Sequence, residues 1–185
     1  MVLAGLVCSS FTRAVFAAPP VGMTLTAAQP LTLTAARPLT LTAAQAAAAE
    51  KTATHGTVSA DKKTLTFHQR LVRLVIRSGP ANDMLSYRIG GLRNPALVVP
   101  AGATLKMLFV NMDDDMTHNL RLTVQNMPFK GTLKSAGTAD LPHKSRAGAH
   151  AEVLTIRLPI AGTYTYLCTV PGHAPGGMFG TLIVR

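Results

Sequence analysis

From residue 55 onward the chain alternates short apolar runs with Gly, Pro, Asn and Asp. Nine runs read as strands: 64–67, 70–77, 85–89, 95–99, 104–110, 119–124, 152–158, 163–168 and 180–185. In 104–110 the apolar Leu105, Met107 and Phe109 alternate with Thr104 and Lys106 until Leu108 breaks the pattern, as expected of a strand with one buried face. No long helical period appears, so the pattern predicts an all-β sandwich or barrel over 55–185.

Upstream the pattern changes. An eight-residue unit recurs as TLTAAQPL (24–31), TLTAARPL (32–39) and TLTAAQAA (40–47). So short a unit, with Pro30 and Pro38 interrupting any helix, is expected to bury no continuous face. Residues 19–54 are therefore predicted to be a disordered or partly helical tether, with helix over 43–51. Residues 1–18 read as an atypical secretory signal, with an apolar run and a small-residue Val15-x-Ala17 that allows cleavage near Ala17. The alternative is a disordered N-terminus. No stretch reaches the ~18 consecutive apolar residues of a membrane span.

Length allows one ordinary domain. Charge is lopsided, with 18 Lys and Arg against 8 Asp and Glu, a net of +10. Such a charge suits nucleic acid, an anionic membrane or an acidic protein partner, but the basic residues are scattered and accompany no aromatic or zinc-finger motif, which argues against nucleic acid. Few carboxylates also mean little stability to lose in acid. Cys8 falls in the segment expected to be removed, which leaves Cys168 as a lone thiol and makes a structural disulfide an unsuitable reading.

Chemistry concentrates in CTVPGHAPGGM, residues 168–178, where Cys168, His173 and Met178 stand in an evenly spaced C-x4-H-x4-M. Strand alternation puts Tyr164, Tyr166 and Cys168 on one face, so a thiol pointing into the core meets whatever the loop delivers. A second imidazole is the missing donor. His118 is the candidate, at a loop-to-strand junction after the strongest core strand, whereas His55, His68, His143 and His150 sit in polar surroundings and read as surface residues. His118, Cys168 and His173 with a weak axial Met178 make the donor set of a type 1 copper centre. Thiolate softness suits Cu(I), imidazole suits both oxidation states, and a thioether is a poor ligand for zinc. Protein donors that fill the site leave no position for a substrate, so the expected role is electron transfer and not catalysis.

GTYTYLCTVPGHAPGGMFGTLIV, with NPALVVPAGATLKMLFVN upstream, resembles the cupredoxins, and within them the rusticyanin group. The resemblance implies a Greek-key β-sandwich holding one copper ion. It also implies a periplasmic, monomeric carrier in the respiratory chain of acidophilic iron- or sulfur-oxidising bacteria, tethered to the inner membrane if its N-terminus is retained. Its partners would be c-type cytochromes or a terminal oxidase. Asn119, which follows the first histidine, is the residue that in the family ties the two ligand loops together. Electrons would pass through the edge of His173, within a docking rim of Pro171, Ala174, Pro175, Gly176 and Gly177. Asp113, Asp114 and Asp115 depart from the rusticyanin pattern, and ionised carboxylates there favour Cu(II). A cupredoxin-type copper carrier that delivers the metal to an oxidase is the alternative function, but residues 19–50 hold only Met23 and no histidine to serve it.

Overall fold

The computed structural model describes residues 23–25 and 31–185, so the expected signal segment lies outside the described residues. In chain order the elements are β1 (Met23–Leu25), β2 (Leu31–Ala35), β3 (Leu39–Leu41), α1 (Ala43–Lys51), β4 (Thr57–Val58), β5 (Thr64–Thr66), β6 (Leu71–Ser78), β7 (Tyr87–Ile89) and β8 (Leu92–Arg93). They continue with β9 (Ala96–Val99), β10 (Ala103–Asn111), β11 (Arg121–Thr123), β12 (Ala136–Gly137), β13 (Ala149–Leu158), β14 (Gly162–Leu167) and β15 (Phe179–Val184). Each of the nine expected strands is present.

Two sheets face each other. One runs β1-β2-β13-β10-β6-β7-β8, with β3 also on β13; the other runs β12-β11-β14-β15-β9-β5-β4. Spatial neighbours are often distant in sequence, as where β10 lies parallel to β6 and antiparallel to β13, so the chain crosses between sheets in the Greek-key manner. The core between them is lined by Leu105, Met107 and Phe109 of β10, Val72, Leu74 and Ile76 of β6, and Tyr164, Tyr166 and Leu182 of the opposite sheet. Tyr87 packs edge-on to Phe109 with ring centroids 5.9 Å apart and lies 5.6 Å from Tyr166. The Tyr166 ring lies against Gly180, where an added Cβ would come within 2.2 Å of it, so only glycine fits.

The break in alternation at Leu108 has a cause. Helix α1 lies over the outer face of the first sheet, where Leu108, Leu41, Ala49 and Ala53 pack on buried Val75, Val110, Ala149 and Ala151. That end of β10 is covered on both sides, so both of its faces are apolar.

The repeat segment differs from the expected tether. Strands β2 and β3 both pair antiparallel with β13, at Leu154↔Ala35 through Arg157↔Thr32 and at Ala149↔Leu41 through Ala151↔Leu39. Successive repeat units thus lie end to end along one edge, parted near Pro38, which has no N–H to give the ladder. A unit too short to bury a face alone gains a backbone template here, and Leu33 enters the main core, 2% exposed. The expected helix is found at Ala43–Lys51. It forms in the third unit because Ala46 replaces the proline of the first two, and because Thr42 and Gln45 make a capping box: Thr42 N–H donates to Gln45 Oε1 (2.8 Å) and Gln45 N–H to Thr42 Oγ1 (3.2 Å).

Candidate metal centre

Three loops meet at one end of the sandwich. The first, 112–117, follows β10 and delivers His118, which is fully buried and paired across a β-bridge with Leu141. The second is the 168–178 loop between β14 and β15. It is closed by Cys168 N–H donating to the Met178 carbonyl at 3.1 Å and Met178 N–H to that of His173 at 2.9 Å. Gly172 turns this loop at φ +85°, a left-handed conformation that disfavours other residues. The third is the 130–150 excursion, which holds His143 and His150. Its strand β12 pairs with β11, and Thr138 and Leu141 are buried, because β11 would otherwise present unpaired backbone.

The donor atoms converge. His118 Nδ1 and His173 Nδ1 are 3.1 Å apart, Cys168 Sγ lies 3.4 Å from His173 Nδ1 and 3.9 Å from His118 Nδ1. Donors ~2.0–2.3 Å from one shared ion in a trigonal plane would be separated by roughly 3.5 Å, so the three fit a single metal. No other described histidine, cysteine or carboxylate joins them. Cys168 and His118 are buried and His173 half-buried, so one imidazole edge reaches the surface. Met178 is fully buried in the same core region, at the loop's exit.

Electrostatics prepares the donors. Burial raises the Cys168 thiol above its usual range, against the backbone N–H groups of Asn119 and Val170 that donate to it, and Asp140 adds to the rise. Burial lowers both histidines; the nearby His118 adds to this for His173, and Asp113 only partly opposes it for His118. The site thus presents two neutral imidazoles and a thiol that ionises when a cation takes its proton's place, the chemistry of a soft metal site.

Asn119 bridges the loops: its Nδ2 donates to Thr169 Oγ1 (2.9 Å) and Asp140 Oδ1 (2.6 Å), and its Oδ1 accepts Thr169 N–H (2.9 Å). Tyr87 anchors the same residue from the core, its hydroxyl donating to the Asn119 carbonyl at 2.6 Å. Asp140 and Thr169 escaped the sequence reading, since neither lies in a recognisable spacing. The docking rim needs one correction. Pro171, Pro175 and Gly176 are exposed, but Ala174 is buried, 4% exposed. Consecutive turns, with Gly176 N–H donating to Gly172 O and Gly177 N–H to Ala174 O, wind the loop so tightly that one side chain must face inward.

Asp113 is 5% exposed and buried with His118. Burial raises its carboxyl, but N–H bonds from Asp115 and Met116 and the contact with His118 outweigh this and hold it at about 2 against an ordinary 3.8. A depressed folded pKa contributes stability above pH 4 that is lost as pH falls through 2. In the copper-free protein this group should account for roughly 2 kcal/mol of the stability lost between pH 5 and pH 2. Denaturant unfolding at both pH values should show that much shallower a loss in Asp113→Asn; an unchanged loss would refute it.

Comparison with known proteins agrees with this geometry. A family model described as copper binding proteins, plastocyanin/azurin family, matches residues 91–185. Rusticyanin of Acidithiobacillus ferrooxidans is 32% identical over 136 residues, covering 70% of this chain and 86% of that protein. Auracyanin-A of Chloroflexus aurantiacus is 33% identical over 104 residues, 48% of this chain and 64% of that protein. A solved rusticyanin structure superposes with a TM-score of 0.70 at 31% identity, covering 80% of this chain and 98% of that one.

Proposed function

Since the chain belongs to the plastocyanin/azurin family of copper-binding proteins and is a blue copper electron-transfer protein, we propose that His118, Cys168, His173 and Met178 hold its single type 1 copper ion. The observation that carries this assignment is the convergence of His118 Nδ1, His173 Nδ1 and Cys168 Sγ within 4.8 Å of one another. Bound there, copper supplies one-electron cycling between Cu(I) and Cu(II). The chain's own part is to exclude water with its apolar surround, to hold the donors through Asn119 and the loop-closing backbone bonds, and to present one imidazole edge.

That edge, half-buried His173 beside exposed Pro171, Pro175 and Gly176, is the electron port. A small apolar rim of this kind suits brief docking, where interfaces are small. A carrier of net charge +10 fits an acidic-edged partner, and we place it in a periplasmic respiratory chain, as a monomer exchanging electrons with a c-type cytochrome or a terminal oxidase. No helix among the described residues is long and apolar enough to cross a membrane.

Adding Cu(II) to the purified full chain tests the assignment. An intense thiolate-to-copper absorption with narrow copper hyperfine splitting is expected, and ordinary colourless copper signals would overturn it. Copper passed on to an acceptor without redox cycling would favour the carrier function instead. His173→Gly should open the port, so that added imidazole binds the copper and restores the colour; a variant whose spectrum ignores imidazole would remove His173 from the ligand set.

A further inference from the structure

We propose that Asp113 is a positioning residue for His118 that biases the copper centre toward its oxidised form and so lowers its reduction potential. The inference rests on the ligand assignment above and adds to it a specific control of the site's redox balance.

His118 points Nδ1 at Cys168 and His173, and its other ring nitrogen, Nε2, lies 3.1 Å from Asp113 Oδ2. With Nδ1 used as a donor, Nε2 carries the proton and donates it to the carboxylate, which fixes both the tautomer and the ring orientation. The carboxylate is itself held. Its Oδ1 accepts the N–H groups of Asp115 (3.1 Å) and Met116 (3.2 Å), and Asp113 N–H donates to Asn111 Oδ1 at 3.1 Å.

Asn111 completes the cradle. Its Nδ2 donates to the carbonyls of Met116, Leu141 and Pro142 at 2.9 to 3.0 Å, and Ser78 Oγ donates to its Oδ1 at 3.1 Å. Ser78, Asn111, Asp113 and His118 are each no more than 5% exposed, so the network stands apart from solvent. A carboxylate shielded in this way acts at far lower effective dielectric than a surface one. It makes the imidazole a stronger donor and adds fixed negative charge, and both favour Cu(II) over Cu(I).

The neighbouring Asp114 supplies the contrast. Asp114 and Asp115 are exposed, and Asp114 pairs with Lys144 at 3.0 Å. Water and that lysine screen Asp114, whereas the Asp115 carboxyl hydrogen-bonds that of Asp113, so of the two neighbours only Asp114 acts apart from the His118 contact.

The test compares D113N with D114N in the copper-loaded full chain. In D113N the ratio of Cu(II) to Cu(I) affinity should fall at least tenfold, a rise of 59 mV or more in potential for a one-electron couple. The blue absorption should persist, and D114N should change the ratio less than threefold. If D113N keeps the wild-type potential while remaining blue, this inference alone fails. Equal shifts in both variants would also overturn it, in favour of a general charge effect. A wild-type chain that forms no blue centre removes the ligand assignment and this inference together. Should D113N not fold, nitrogen-15 spectra of the reduced wild type decide the matter: a slowly exchanging Nε2–H on His118 supports the contact, and rapid exchange refutes it.

Discussion

Cys168→Ser is expected to yield a folded protein that takes on no blue colour with Cu(II). The intense absorption of a type 1 site arises from the copper–thiolate bond, and no other cysteine, histidine or carboxylate among the described residues lies with the two imidazoles. A serine hydroxyl is nearly the same size but hard, and it does not ionise near neutral pH, so it replaces neither the softness nor the charge of sulfur. Folding should survive. The N–H groups of Asn119 and Val170, which donate to Sγ, can bond Oγ, and the remaining cost of a buried hydroxyl is about 1–3 kcal/mol. Absorption near the visible charge-transfer band should vanish entirely, Cu(I) affinity should fall by orders of magnitude, and a variant that stayed blue would show that another residue supplies the thiolate-like bond.

The sandwich was legible because alternation and turn chemistry act locally. A strand such as β10 reports its buried face through Leu105, Met107 and Phe109, and the only irregularity, Leu108, marked a second covering layer that alternation could not identify. The convergence of His118, Cys168 and His173 was legible for a different reason: Cys168 and His173 lie on one loop, and the distant His118 followed a strong strand. What the sequence concealed depended on partners. Asp140 acts only because Asn119 reaches it, Ala174 is buried only because the loop winds tightly, and nothing in the three adjacent aspartates distinguishes Asp113 from the two that remain in solvent. The repeat misled most, since a sheet edge that accepts a weak segment belongs to β13 and leaves no mark on the segment itself.

Leu33→Ala separates a docked strand from a tether. If residues 31–35 only linked the domain to something else, removing a side chain there would change stability by less than about 0.5 kcal/mol, as at most surface positions. In the structure Leu33 is 2% exposed, stands opposite Ile156 in the β2–β13 ladder and belongs to the main core. Truncation there leaves a cavity as well as lost transfer energy, and should cost about 2–5 kcal/mol in denaturant unfolding of the copper-free chain. Leu39, at the end of the same unit and 38% exposed, is the internal control: Leu39→Ala should fall within about 0.5 kcal/mol of wild type. Equal, negligible effects at both positions would return the repeat to a tether. A large loss at Leu33 alone means that a domain boundary drawn at residue 55 cuts through the fold, because a chain begun there lacks both strands on the β13 edge and the helix that covers Val75 and Val110. The eight-residue repeat is then a structural device: the second unit and the start of the third supply strands in phase with β13, and the rest of the third, freed of proline, turns into the helix that closes the outer face.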